Sequence, residues 1–122
     1  MIVLIDYLVR ATLILFFPLL IVDFIVIDRL LRWEYIDANR EWIADGRPHG
    51  YFWVPTEAKA GGLLVSLRSS RALRSITVNW LFKTPEWIAK NERARLLLWI
   101  HRLIVFAIYL PLVSLLMLAA LQ

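Results

Sequence analysis

Two long apolar runs lie near the two ends of the chain, and a charged, aromatic connection separates them. The later run, from Leu103 to Leu121, has no charged residue. As a helix it would rise roughly 28 Å, close to the roughly 30 Å of a hydrocarbon core. The earlier run, from Ala11 to Ile27, is interrupted only by Asp23. We predict one helix from about Ile2 to Leu31, longer than the bilayer core and tilted within it.

The connection carries helix signals separated by breakers. The first helix is expected to continue beyond the apolar run and to stop at the turn signal Asp45-Gly46. An extended aromatic stretch, "YFWVP", follows. A further helix is expected from Thr56, a candidate N-cap, although Gly61-Gly62 weakens it. Its later part, with Leu73, Ile76 and Trp80 on one face, has the spacing of an amphipathic helix.

The last helix of the connection is predicted to lead directly into the second apolar run. Thr84 is a candidate N-cap, Pro85 suits the first helical position, and Glu86 places negative charge in the first turn. Glu86 and Lys90 form an i, i+4 pair, as do Asp6 and Arg10 in the first helix. From Pro85 we expect one uninterrupted helix to the end of the second run.

The fold class that follows is an all-α membrane protein. Two transmembrane helices form a helical hairpin, joined by a cytoplasmic, amphipathic and tryptophan-rich helical connection. Residues 1–31 form the N-terminal transmembrane helix and its extension, and residues 32–84 form the interfacial connection. Residues 85–122 form an amphipathic helix that continues into the second transmembrane helix.

Composition supports a membrane protein and narrows its chemistry. Hydrophobic residues make up 61% of the chain and the mean hydropathy is +0.66, whereas soluble domains are roughly 45–50% apolar. The absence of cysteine excludes disulfides, thiolate metal sites and a cysteine nucleophile. Two histidines are too few for an all-histidine metal centre. No residue grouping supports catalysis, so we expect no enzyme activity, metal or cofactor.

A cleaved signal peptide is the competing interpretation of the first run. Signal peptides begin with basic residues and end in a small-x-small cleavage site. Here the only early base is Arg10, and the run ends in Ile27-Asp28-Arg29. The pattern therefore favours an uncleaved anchor.

The distribution of basic residues predicts the orientation. Thirteen of the fourteen Lys and Arg residues lie between Arg29 and Arg102, against seven acidic residues, which gives this stretch a net charge of +6. Positive charge is retained in the cytoplasm. We therefore expect a multi-pass protein of a bacterial inner membrane with both termini in the periplasm.

The basic residues in the second half of the connection are predicted to contact lipid headgroups, at about 1 kcal/mol per base near an anionic surface. The predicted contacts are Arg68, Arg71, Arg74, Lys83, Lys90, Arg93 and Arg95. The same charges could bind nucleic acid, but membrane topology and lipid contact account for them, so we expect no nucleic-acid partner.

The tryptophans are concentrated in the connection, and none lies in the middle of an apolar run. They are Trp33, Trp42, Trp53, Trp80, Trp87 and Trp99. Amphipathic rings of this kind collect at the membrane–water boundary, which predicts interfacial anchors. The alternative is that they form the core of a small cytosolic subdomain, and both interpretations can hold together.

Two polar residues in or beside the runs are candidate functional positions. A carboxylate within a span, such as Asp23, is by default a functional candidate. It could instead reach the cytoplasmic boundary or pair with Arg102. His101, where the second helix enters the bilayer, could ligate haem or a chlorophyll-type pigment, or it could be an ordinary boundary residue.

One family has a similar organisation. The layout of one span near each end, the aromatic turn "HGYFW" and the segment "ERAR" just before the final span resemble the universal stress protein B family of small two-span inner-membrane proteins. That resemblance implies a stress-associated inner-membrane protein without established catalytic residues, and no site residue is carried over from it.

These patterns predict a non-catalytic accessory or assembly subunit, which packs against a larger membrane complex or against copies of itself. Pro18 and Pro111 in the middle of the runs favour this role, because each releases a backbone carbonyl that a neighbour can satisfy. The alternative is a lipid-responsive or stress-associated surface protein whose connection binds anionic headgroups. Membrane lipids are expected partners in both cases.

Overall fold

The protein is helical throughout the part of the chain that the computed structural model describes, residues 1–55 and 62–121. Five helices follow in order: α1 (Ile2–Asp37), α2 (Asn39–Ala44), α3 (Gly62–Phe82), α4 (Glu86–Ala89) and α5 (Glu92–Ala120). No strand occurs in these two ranges. The predicted helical hairpin is confirmed to this extent: α1 and α5 are each long and apolar enough to cross a membrane.

Helices α1 and α5 pack against each other in antiparallel fashion. Phe16 of α1 meets Tyr109 of α5 edge to face, with 6.0 Å between the ring centroids. Nearer the connection, Asp23 of α1 contacts His101 of α5. Toward the chain ends, Ile5 and Ala119 line one common groove. The 36 residues of α1 extend about 54 Å, so its inner end reaches beyond a bilayer core.

The hydrophobic core lies at the end of the hairpin where the connection packs. Its buried members come from four helices: Val26, Ile27, Leu30 and Leu31 of α1, Ile76 and Trp80 of α3, Ile88 of α4, and Ala94 and Leu98 of α5. The outer parts of α1 and α5 contrast with this core, because only 22% and 11% of the residues in their most apolar stretches are buried. A buried core helix of a soluble protein would be mostly enclosed, so this distribution favours lipid around the outer parts.

The first helix ends earlier than predicted. We expected it to run unbroken to Asp45, but Ala38 leaves the helical conformation, with φ −133° and ψ 52°. The side-chain Nδ2 of Asn39 donates to the Tyr35 carbonyl at 2.9 Å, which satisfies one acceptor that the break exposes. The turn predicted at Asp45-Gly46 is confirmed, since Gly46 has a φ of +95°.

The helix before the second span is also interrupted, so the prediction of one continuous helix from Pro85 is wrong. Helix α4 begins at Glu86 and ends at Ala89. The Asn91 side chain then accepts hydrogen bonds from the backbone N–H groups of Arg93 and Ala94 at 3.0 and 3.3 Å. This N-cap starts α5 as a separate helix.

Two predicted caps have different outcomes. Thr84 does not cap α4, because Pro85 occupies the N-cap position and the Thr84 hydroxyl accepts from Arg102 instead. The cap predicted at Thr56 lies outside the described residues. The two predicted i, i+4 ion pairs are confirmed, with N–O distances of 3.1 Å for Arg10–Asp6 and 3.0 Å for Lys90–Glu86.

A carboxylate on α1 holds the irregular aromatic stretch in place. Asp28 accepts hydrogen bonds from three consecutive backbone N–H groups, those of Tyr51 at 2.5 Å, Phe52 at 2.7 Å and Trp53 at 3.1 Å. The approach is so close that a Cβ at Gly50 would overlap the Asp28 carboxylate. Asp28 therefore satisfies three backbone donors of a loop without regular secondary structure, and an ionised carboxylate strengthens such bonds.

We predict that Asp28→Asn destabilises the protein by about 1–3 kcal/mol, because an amide nitrogen would face backbone donors and leave at least one of them unpaired. Thermal unfolding of the full chain in detergent, followed by circular dichroism, measures the effect. Asp37→Asn, at an exposed carboxylate near the end of the same helix, is the matched control. Equal midpoints for the two variants would contradict the clamping role of Asp28.

Candidate functional site

A buried acid–histidine pair joins the two long helices. Asp23 Oδ1 lies 2.6 Å from His101 Nδ1, and both side chains are almost fully enclosed, at 10% and 2% exposure. Asp23 sits one helical turn before the core residues of α1, and His101 follows the core residue Leu98 by three positions on α5. The core packing therefore sets the register that brings them together.

The hydrogen bond of the second ring nitrogen determines where the protons of this pair can lie. His101 Nε2 lies 3.1 Å from the backbone carbonyl of Thr77 in α3. A carbonyl only accepts, so Nε2 must carry the hydrogen. The contact between Nδ1 and Asp23 then requires one further proton, located on the ring or on the carboxyl group. In either arrangement the pair is neutral overall, which lowers the cost of burying it.

Arg102 is not the partner of Asp23, which the sequence alone left as one possibility. Its Nε donates to the carbonyl of Trp80 at 2.8 Å and its Nη2 to Thr84 Oγ1 at 3.0 Å. Its guanidinium also lies 5.0 Å from the ring centroid of Trp99. A cation at the last turn of α3 satisfies a terminal carbonyl and complements the helix dipole.

A cavity of about 240 Å³ opens beside the acid–histidine pair. Apolar side chains of α1, α3 and α5 form most of its wall. Its polar lining comes from Asp23, Tyr51, Thr77, His101 and Tyr109. Tyr51 is held there because its ring stacks on Phe24, with 3.8 Å between centroids and 17° between planes.

A further buried carboxyl group lies on α1, after the first apolar run ends. Glu34, seven residues after Ile27, is fully buried, and its Oε2 accepts from the Trp87 indole N–H at 3.0 Å. Its Oε1 has no hydrogen-bond partner among the described residues. Burial, followed by the neighbouring Asp45 carboxyl group, raises the pKa of Glu34 from 4.5 to about 9. Glu34 is therefore protonated at neutral pH.

The predicted polar positions fall into two groups in the structure. Asp23 and His101 come together, and neither ring nitrogen of His101 is left free for a haem or pigment metal. All the predicted headgroup contacts are exposed on the connection and the start of α5. Their contact with lipid stays a prediction.

The tryptophans are divided between the core and the surface. Trp80 belongs to the core, and Trp33, Trp53 and Trp87 pack against it. Trp42 is buried as well, with its Nε1 donating to the Pro48 carbonyl at 2.9 Å. Protein encloses the buried rings, in agreement with the alternative that tryptophans form the core of a subdomain. The role of the tryptophans as interfacial anchors stays a prediction. Trp99, at 58% exposure, has the accessibility that anchoring requires.

Sequence reasoning missed several residues of the site. Asp28, Glu34, Tyr51, Thr77 and Tyr109 were not singled out. The sequence did contain a signal for Asp28, because this carboxylate directly follows the first apolar run. Gly50, later in the chain, is a residue type that lets the backbone approach a side chain closely. The other members become visible only once the register of the helices is known.

Comparison of the chain with protein-family models, with curated proteins and with solved structures gives no match. The interpretation of the site therefore rests on its geometry.

No metal-binding group of three or more His, Cys, Asp or Glu side chains occurs within residues 1–55 and 62–121. What the site offers chemically is a neutral, hydrogen-bonded acid–histidine pair and two phenolic hydroxyl groups around an apolar cavity.

We predict that His101→Leu destabilises the protein by about 3–5 kcal/mol, because it leaves the buried Asp23 carboxyl group without its partner. The double variant Asp23→Leu with His101→Leu removes both polar groups and should recover part of this loss. Denaturant unfolding of the four proteins of this cycle measures the coupling. His49→Leu, at the other histidine, serves as the control, and an equal loss in His49→Leu and His101→Leu would contradict the structural pairing.

We predict that stability falls as the pH rises from about 4.5 to about 9, because folded Glu34 keeps a proton that the unfolded chain releases. Glu34→Gln resembles the protonated side chain, so it should flatten this slope and raise the unfolding midpoint at pH 8. Unfolding midpoints measured from pH 5 to pH 9 provide the test. Glu92→Gln, at an exposed glutamate, should keep the parental slope. A slope unchanged in Glu34→Gln would show that Glu34 does not release its proton on unfolding.

Proposed function

We propose that this chain is a non-catalytic accessory or assembly subunit of a bacterial inner membrane. It crosses the membrane with α1 and α5 and packs there against a larger complex or against copies of itself. The basic connection lies on the cytoplasmic side and both termini lie in the periplasm. The orientation is supported by the concentration of Lys and Arg between the two spans.

The observation that carries the proposal is the position of the two mid-helix prolines. Pro18 lies within α1 and Pro111 within α5. Each removes the hydrogen bond to the carbonyl four residues earlier, at Ile14 and Ala107. All four of these residues are exposed on the outside of the hairpin. The released carbonyls therefore belong to residues on the outside of the hairpin.

A backbone carbonyl without a donor is costly in hydrocarbon. Each unsatisfied backbone group there costs on the order of several kcal/mol. Donors on neighbouring membrane helices remove this cost, whereas lipid chains offer none. The large apolar side chains around these positions, among them Ile14 at 71% and Leu110 at 61% exposure, provide the surface that such neighbours would cover.

One specific observation favours the alternative, a lipid-responsive surface protein. One exposed face of α3 carries both apolar and basic side chains at helical spacing. Its members are Leu67, Arg71, Arg74, Val78 and Phe82. Such a stripe suits the boundary between headgroups and acyl chains, where arginine stems lie on apolar surface and their charges reach phosphates. The predicted association with stress, which rests on the family resemblance alone, belongs to this alternative.

Site-specific photocrosslinking in cells distinguishes the two functions. A photoreactive phenylalanine analogue is placed in the full chain at Ile14, at Leu67, or at Ile43 as an exposed control in the connection. The subunit proposal predicts a protein adduct of one defined mass at Ile14 and none at Ile43.

The alternative predicts anionic phospholipid adducts at Leu67, with phospholipid alone at Ile14. Phospholipid adducts alone at Ile14 would overturn the subunit proposal, whatever is found at Leu67. An adduct between two copies of this chain at Ile14 would support the self-assembly form of it.

A further inference from the structure

We infer that the cavity beside Asp23 and His101 binds the flat, neutral, hydrogen-bonding ring headgroup of a lipid-soluble molecule, the chemistry of a quinone or quinol. This inference concerns a ligand of the hairpin itself and goes beyond the subunit role proposed above.

The size of the cavity limits the ligand. A volume of about 240 Å³ is below the roughly 300–1,000 Å³ of sites for drug-sized molecules. It can take one substituted six-membered ring and no larger headgroup. The ligand must therefore place the remainder of its length outside the cavity.

The shape of the cavity allows this. It is open on one side, and the lining residues Val78 and Tyr109 are 55% and 46% exposed. Their exposure gives the cavity an opening toward the outside of the hairpin. An apolar tail can leave past these side chains along the outside of the hairpin, where lipid or a neighbouring helix would cover it.

The walls select a planar, largely apolar headgroup. Leu20, Phe24, Ile104, Val105 and Ile108 supply apolar lining. Phe24 and Tyr51 both line the cavity and stack on each other, with 17° between their rings. Aromatic rings of a ligand pack well against aromatic side chains.

The polar groups exclude charged headgroups. No Lys or Arg lines the cavity, so neither side chain can pair there with a phosphate. The Asp23–His101 pair is already neutral as a unit and does not call for a cationic ligand. Phospholipid headgroups, which carry a phosphate, therefore do not suit this site.

The remaining hydrogen-bonding groups suit a ring that bears oxygen. Tyr51 and Tyr109 each contribute a phenolic hydroxyl, which both donates and accepts. A quinone carbonyl would accept from such a hydroxyl, and a quinol hydroxyl would also donate to it. The hydrogen-bonded Asp23–His101 pair lines the same cavity and adds polar atoms on one side of the ligand ring.

The two histidines of the chain provide a direct test. The full-length protein is labelled with ¹⁵N at histidine only, reconstituted in phospholipid nanodiscs and titrated with decylubiquinone and, separately, with its reduced quinol. The ring signals of His101 should shift and saturate, whereas those of His49, which lies outside the cavity, should not. The comparison of the two probes shows which redox form the site prefers.

Decylbenzene is the ligand control, because it has the same chain length and an aromatic ring but no oxygen. Saturable shifts of His101 with either oxygenated ring and none with decylbenzene would support the inference. Equal shifts with decylbenzene would overturn it, since the cavity would then recognise apolar surface alone. The absence of any saturable shift would overturn it too.

One matched pair of variants and one further single variant locate the binding. Val105→Trp fills the cavity without altering the acid–histidine pair, and Leu103→Trp, at an exposed position two residues earlier, is its matched control. Val105→Trp should abolish the shifts while its ligand-free His101 signals remain, and Leu103→Trp should bind as the parent does. Tyr109→Phe should weaken binding roughly tenfold, the effect of one good hydrogen bond. Binding that survives in Val105→Trp would overturn the assignment of the cavity.

Discussion

The carboxylate of Asp28 organises the inner end of this hairpin. An irregular loop carries backbone donors that must be satisfied, and Asp28 satisfies those of Tyr51, Phe52 and Trp53 together. Because the loop is held on α1, Tyr51 stacks on Phe24 and closes one side of the cavity. The position of the connection, and with it the candidate site, therefore follows from one side chain that ends the first apolar run.

Other buried polar side chains of the inner end also form hydrogen bonds to neighbouring helices, and one oxygen of Glu34 has no partner among the described residues. Asp23, Glu34 and Arg102 are all buried, and each has a partner on a different helix: His101 on α5, Trp87 on α4, and the Trp80 carbonyl on α3. Buried polar groups without partners would destabilise the fold. Their pairing makes the connection and the two long helices one packed unit, while the outer halves of the helices leave apolar side chains exposed.

The sequence was sufficient for those features that depend on local pattern and length. Run length and composition predicted two helices long and apolar enough to cross a membrane, and the Asp-Gly pair predicted the turn at Gly46. The breaks at Ala38 and Asn91 were missed because apolar spacing continues across both, although Asn91 followed by Glu92 is a capping signal. The Asp23–His101 pair joins residues 78 positions apart. Its formation depends on how Leu30 and Leu98 pack, which no local pattern specifies.

Both proposed functions require the chain to cross the membrane twice, with its basic middle inside the cell. The protein has no cysteine, so single cysteines introduced at Ile2, Ala89 or Leu121 are unique targets for a membrane-impermeant maleimide. We predict labelling of intact cells at positions 2 and 121, and labelling at position 89 only after the inner membrane is permeabilised. Labelling at position 89 in intact cells would contradict the proposed topology and the functions that rest on it.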